Sequence, residues 1–137
     1  MLRKRTPEGI RVRLDVAVDS LRLSGSLRLR VTGSSMLPTI PPGSRVLIRR
    51  AAPDEIQCGD IVLLRANTGL RLHRLVSIVD APGGALLVTR GDNDMEDDPP
   101  AGAAQLLGLF AGIEQSPPKW RRLSWLLDSL FRHTEHA

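Results

Sequence analysis

The stretch Leu27-Arg28-Leu29-Arg30-Val31-Thr32-Gly33-Ser34-Ser35-Met36-Leu37-Pro38-Thr39 decides how the rest of the chain reads. Leu27, Leu29 and Val31 alternate with Arg28, Arg30 and Thr32, the period-two pattern of a strand with one buried face. Gly33 and two serines then stop the strand, and Pro38, Pro41, Pro42 and Gly43 keep regular structure from resuming. A sharp turn at a sheet edge exposes the Ser35 hydroxyl and leaves backbone N–H groups unpaired, as a nucleophile beside an oxyanion hole requires. Serines beside glycine are also ordinary turn formers, so Ser35 alone decides nothing.

Strand signals continue downstream. Arg45–Arg49, Asp60–Arg65, Leu70–Val79, Ala85–Thr89 and Gln105–Ile113 read as strands separated by turn-rich segments. On the fourth of the six, Leu70, Leu72, Val76 and Ile78 are expected on one face, with Arg71, His73, Leu75 and Val79 on the other. Short strands at this spacing predict a mainly β fold, a coiled and mostly antiparallel sheet. Upstream, Ile10–Leu23 fits two periods: Ile10, Val12, Leu14, Val16 and Val18 alternate, while Leu14, Val18 and Leu21 form a helical stripe. A short helix before Ser24-Gly25 is the preferred reading. After Pro117-Pro118, Trp120, Leu123, Leu127, Leu130 and Phe131 recur at helical spacing and predict an amphipathic C-terminal helix. The expected organisation is an arm and short helix or strand over 1–26, a β-domain over 27–116, and a helix and tail over 117–137.

The chain has 137 residues, enough for one core, and with no Tyr, two Phe and two Trp that core must be aliphatic. The net charge of +4 is modest. No basic run is interleaved with aromatics for base stacking, so nucleic acid is not expected as a partner. Cys58 is the only cysteine, which excludes an internal disulfide and fits a reducing, cytoplasmic setting; it reads as an inert structural thiol. No segment has the ~20 apolar residues of a membrane span, and no signal-peptide core follows the basic N-terminus.

His73 changes the weight of Ser35. A serine hydroxyl needs a base that works near neutral pH, and imidazole, titrating near pH ~6.5 in model peptides, fits. The other two histidines, His133 and His136, fall in the last five residues. A carboxylate on the far side of the imidazole completes a triad, and Asp92, Asp94, Glu96, Asp97 and Asp98 form an acidic cluster that can supply it. The cluster also invites calcium, but an EF-hand loop counted from Asp92 needs Gly where Asp97 stands. No metal and no cofactor are expected.

Four blocks in order resemble the signal peptidase I family of serine proteases, within the S24/S26 group. They are Ser35-Met36-Leu37-Pro38-Thr39, Gly59-Asp60-Ile61-Val62, His73-Arg74-Leu75, and Arg90-Gly91-Asp92-Asn93-Asp94 with Asp97-Asp98. His73 in the third block is similar to the Ser-His branch of archaeal and endoplasmic-reticulum enzymes. The resemblance implies the signal peptidase/LexA-like β-sheet, Ser35 as nucleophile and His73 as general base. It places Asp98 as the orienting acid, with Asp92 as the alternative from the Gly-Asp block. Met36 and Pro38 would shape the turn and the substrate cleft. Where many relatives have an oxyanion-donating Ser, this chain has Gly33, so the Ser35 amide, helped by Ser34, would have to do more.

The family's membrane anchor is not present before Ser35. The expected activity is therefore that of a soluble serine endopeptidase cutting a leader or signal-like segment from a peptide or protein precursor. Residues 119–132 offer a peripheral membrane contact, although packing of that helix on the sheet is the simpler reading. Two other classes stand beside this one. Self-cleaving repressors on the same fold use a Lys base and an upstream Ala-Gly bond, neither found here, and residues 1–34 are too few for a DNA-binding domain. A non-catalytic binding module is the remaining alternative.

Overall fold

The computed structural model describes residues 13–67 and 69–114. The expected C-terminal helix and the membrane contact at 119–132 lie outside the described residues. Helix α1 spans Leu14–Ser24, followed by β1 (Ser26–Arg30), β2 (Arg45–Arg50), β3 (Ile61–Ala66), β4 (Gly69–Ala81), β5 (Gly84–Arg90), β6 (Ala101–Gly102) and β7 (Leu106–Glu114). Short 3₁₀ turns at Pro53–Glu55 and Ala103–Gln105 precede β3 and β7.

The helical period wins in the ambiguous N-terminal stretch. Ala17 and Leu21, one turn apart, are buried in the core, with Leu14 packed beside them, whereas Val16 is 52% exposed. Gly25 ends the helix in the left-handed region at φ 77°, where its N–H donates to the Leu21 carbonyl at 3.0 Å. A glycine adopts this conformation without the Cβ clash that other residues meet. The chain thereby reverses into β1.

All strands join one antiparallel sheet in the order β1-β2-β7-β3-β4-β5-β6. Mainly β and antiparallel, it is the fold class read from the alternation. A hydrophobic core packs on each face of the sheet at β3. Ile61 and Leu63 of β3 join one cluster with Leu29, Met36, Ile40, Val46 and Ile48, while Val62 and Leu64 join a second with Leu75 and Leu87. A strand buried on both sides carries consecutive apolar residues, which is why β3 reads Ile-Val-Leu-Leu.

The expected faces of β4 hold through Leu75 and need correction beyond it. Leu70 and Leu72 are buried in the first core, and Leu75 is buried on the opposite face in the second. Past Leu75 the β4–β5 register shifts, and Ile78 is 41% exposed instead of continuing the buried face. A bulge breaks the period-two rule, and the ribbon beyond it runs out of the core. The two-residue strand β6 is too short to leave a periodic signal. Cys58, expected as a structural thiol, is exposed in the turn before β3.

Candidate active site

The segment between β1 and β2 is held by its two apolar side chains. Met36 and Ile40 are buried in the first core, and the Ile40 N–H donates to the Met36 carbonyl at 2.8 Å. Val31 and Ser44 close the base of the loop, the Val31 N–H donating to the Ser44 carbonyl at 2.9 Å. Between these anchors Gly33 and Ser35 are half-buried, while Ser34 and Pro38 are exposed. The Leu37–Pro38 peptide is cis. Burial of Met36 thus fixes the direction of its neighbour Ser35.

Pairing of Val62 with His73 sets the imidazole on the face of β4 that carries the second core. Its Nε2 lies 3.0 Å from Ser35 Oγ, and its Nδ1 lies 2.5 Å from Asp98 Oδ2. Both side chains of the His73–Asp98 pair are largely shielded, at 13% and 16% exposure. Thr89 Oγ1 donates to the same Asp98 oxygen at 2.8 Å, and the Asp98 N–H donates to the Thr89 carbonyl at 2.8 Å. Arg71 Nε stands 3.9 Å from that oxygen. An ionised Asp98 holds the Nδ1–H tautomer and leaves the Nε2 lone pair to accept from Ser35.

Asp92, the alternative orienting acid, is engaged elsewhere. Arg74 donates to it through Nε at 2.7 Å and Nη2 at 2.8 Å, and Thr39 Oγ1 donates at 2.5 Å. The Arg74 hydrogen bond, despite the opposing effect of burial, holds the Asp92 carboxyl below the usual carboxylate range, with Thr39 adding to it. The same bond raises the Arg74 pKa. Arg74 Nη1 also donates to the Gly59 carbonyl at 2.6 Å. Asp92 therefore ties the serine loop, through Thr39, to β4 and to the turn before β3.

The loop after β5 completes this clamp. The Asn93 N–H donates to the Ser35 carbonyl at 2.8 Å, and Asn93 Nδ2 donates to the Ser34 carbonyl at 3.3 Å. Gly91 lies so close that a Cβ there would stand 2.6 Å from the Ser35 carbonyl oxygen. The Ser35 N–H has no acceptor among the described residues, so it is available to an incoming oxyanion.

The structure thus brings Ser35, His73 and Asp98 together, with Gly33, Ser34, Met36 and Pro38 forming the turn, and directs Asp92 to Arg74. His73, Asp94 and Asp98 each offer one ligand atom within 4.8 Å of the others. Both His73 nitrogens already have partners, so a cation there would replace hydrogen bonds. The supporting parts least legible in sequence are Thr89, Arg71 and Asn93. Thr89 had a signal: it follows Ala85 and Leu87 at period two, and a hydroxyl on an inward position needs a polar partner.

A family model described as Peptidase S24-like matches residues 8–102. No curated protein and no solved structure matches the chain.

Proposed function

The chain belongs to the Peptidase S24-like family, and from that premise we propose that it is a serine endopeptidase using Ser35, His73 and Asp98. The reading is carried by one observation, the continuous hydrogen-bonded line from Ser35 Oγ through both imidazole nitrogens to Asp98. In the proposed reaction His73 Nε2 takes the Ser35 proton as Oγ attacks the peptide carbonyl carbon. Asp98 stabilises the imidazolium, and the Ser35 N–H receives the oxyanion. The imidazolium then protonates the departing amine, leaving an acyl-serine. Water, deprotonated by His73 in turn, releases the carboxylic acid and restores the serine.

The finer proposal is a signal peptidase I-like enzyme of the Ser-His kind, acting on a leader or signal-like segment of a precursor. The imidazole at position 73 supports it over a self-cleaving regulator, for which the resemblance implies a Lys base. No helix among the described residues is long and apolar enough to cross a membrane. Incubation of the full chain with an Ala-rich leader peptide tests the proposal. Cleavage that disappears in Ser35→Ala and His73→Ala supports it, and equal cleavage by wild type and both variants sinks it. Shortening of the chain itself, seen by intact mass and lost in Ser35→Ala, would identify the self-cleaving class instead.

A further inference from the structure

The side of β7 that faces the first core is incompletely covered. Phe110 pairs with Ile48 and Ile113 with Val46, and both partners are buried in that core. Ile113 is nevertheless 39% exposed, and Phe110 and Leu107 are only half-buried. Helix α1, the one α-helix among the described residues, buries Ala17 and Leu21 in this core without closing over β7. Yet β7 lies between β2 and β3, well inside the sheet, where an apolar face needs a second layer. From Ile113 through Phe110 to Leu107 the track runs into a groove of about 620 Å³. Val18 and Leu21 of α1, Ala51 and Ala104 share its wall with Leu107. Arg22 and Arg50 also line it, and Arg50 Nη1 donates to the Arg22 carbonyl at 3.5 Å. Arg50 has no acidic partner within salt-bridge distance among the described residues.

We infer that this track and groove seat the chain's own segment 120–131. Position, length and charge all favour that occupant. Strand β7 ends at Glu114, beside Ile113, so the track begins where the chain leaves the sheet. Ser116-Pro117-Pro118 is turn-forming and lets the chain double back along β7. Residues 120–131, apolar at helical spacing, would span ~18 Å as a helix, close to the ~20 Å of strand from Leu107 to Ile113. Asp128 is the only acid between Glu114 and Glu135, and it flanks the stripe of Trp120, Leu123, Leu127, Leu130 and Phe131. With Trp120 over Ile113, the returning segment brings its far end to the groove and Asp128 to Arg50, whose charge lacks a partner. Apolar stripe then covers apolar strand, and the arginines of the segment face water. The inference stands apart from the peptidase reading, because no residue of this seat touches Ser35, His73 or Asp98.

Tryptophan fluorescence of the full chain tests it. Trp120 and Trp125 are the only tryptophans and there is no Tyr, so Trp125→Phe leaves Trp120, on the apolar stripe, as the sole reporter. Its emission should be blue-shifted and shielded from acrylamide, and should become water-like in urea. Ala104→Arg, at an exposed position of the groove wall, should move the emission to the red while the thermal melt stays cooperative. Arg50→Asp and Asp128→Arg should each weaken docking about fivefold, the upper end for an exposed ion pair. Hydrogen-exchange protection of residues 120–131 reads that loss, and the double exchange Arg50→Asp/Asp128→Arg should restore it. Ser35→Ala should leave every one of these signals unchanged, so failure here is separable from failure of the peptidase reading. The inference is overturned if Trp120 is as open to acrylamide in the folded chain as in urea, or if Ala104→Arg leaves its burial intact. Burial lost on dilution would give the seat to a second copy of the chain, and burial seen only with added phospholipid vesicles would give the segment to a membrane; either overturns it as well.

Discussion

Asp98→Ala is the most demanding test of the site. The carboxylate sits 2.5 Å from His73 Nδ1, so in the proposed reaction it faces the positive charge that the imidazole would acquire on taking the serine proton. With charge centres ~4 Å apart and an effective dielectric of about 20, that attraction is about 4 kcal/mol. At about 1.4 kcal/mol per tenfold in rate this is roughly a 10³-fold loss. Arg71, 3.9 Å from the same oxygen, offsets part of it, while loss of the held tautomer adds to it, for a total of about 10³–10⁴. The substitution also strands the Thr89 hydroxyl, which is 1% exposed and donates to Asp98. A stability loss of ~1–3 kcal/mol is therefore expected beside the kinetic one. Two assays separate these effects. Cleavage of an Ala-rich peptide and the rate of Ser35 modification by a fluorophosphonate, followed by intact mass, are measured well below the variant's Tm. If Asp98→Ala keeps its activity within tenfold of wild type while folded, the reasoning fails, and Asp98 is structural.

Three other perturbations bear on how the site is held. Asp92→Asn should lower stability by ~1–3 kcal/mol, because Arg74 and Thr39 lose a charged acceptor, and thermal melts will register it. The Asp92 carboxyl is depressed in the folded state, so its contribution is complete above the ordinary value of ~3.9 and is lost as pH falls through the lower folded value. Wild type should accordingly lose stability on acidification below about pH 4, and Asp92→Asn should show a flatter acid limb. Gly91→Ala places a methyl 2.6 Å from the Ser35 carbonyl. It should push the serine loop from His73 and lower peptide cleavage at least tenfold, with an overpacking cost of ~1–3 kcal/mol read from urea melts. Leu63→Ala, in the strand buried on both faces, should cost ~2–5 kcal/mol with no shift in the pH profile of whatever activity remains.

Local chemistry made much of this readable. Leu27, Leu29 and Val31 could bury one face only as a strand, and the glycine and prolines after them could only turn the chain. The same rule failed where geometry departs from its period. At the β4 bulge Ile78 comes out of the core, and β6 has too few residues to show any period. In the helix, Ala17 is too small to stand out in a hydrophobic stripe, yet it is fully buried because the helix approaches the sheet closely there. Residues 115–137, including the expected amphipathic helix, lie outside the described structure.

The sequence by itself determined the kinds of groups available: a turn serine, one histidine within the strands, and an acidic loop. It also set the alternating faces, because side-chain direction along a strand depends on the residue's own position and nothing further away. Which acid meets the imidazole was decided only by tertiary structure. Asp98 is 25 positions from His73, and Ser35 is 38 positions from it. Their meeting depends on the register of β4 with β3 and β5, and on the depth to which Met36 and Ile40 anchor the loop. Asp92 and Asp98 are chemically equivalent and lie in one loop. Arg74 and Thr39 claim the first, and Thr89 positions the second, so contacts remote in sequence assign two like carboxylates to different work.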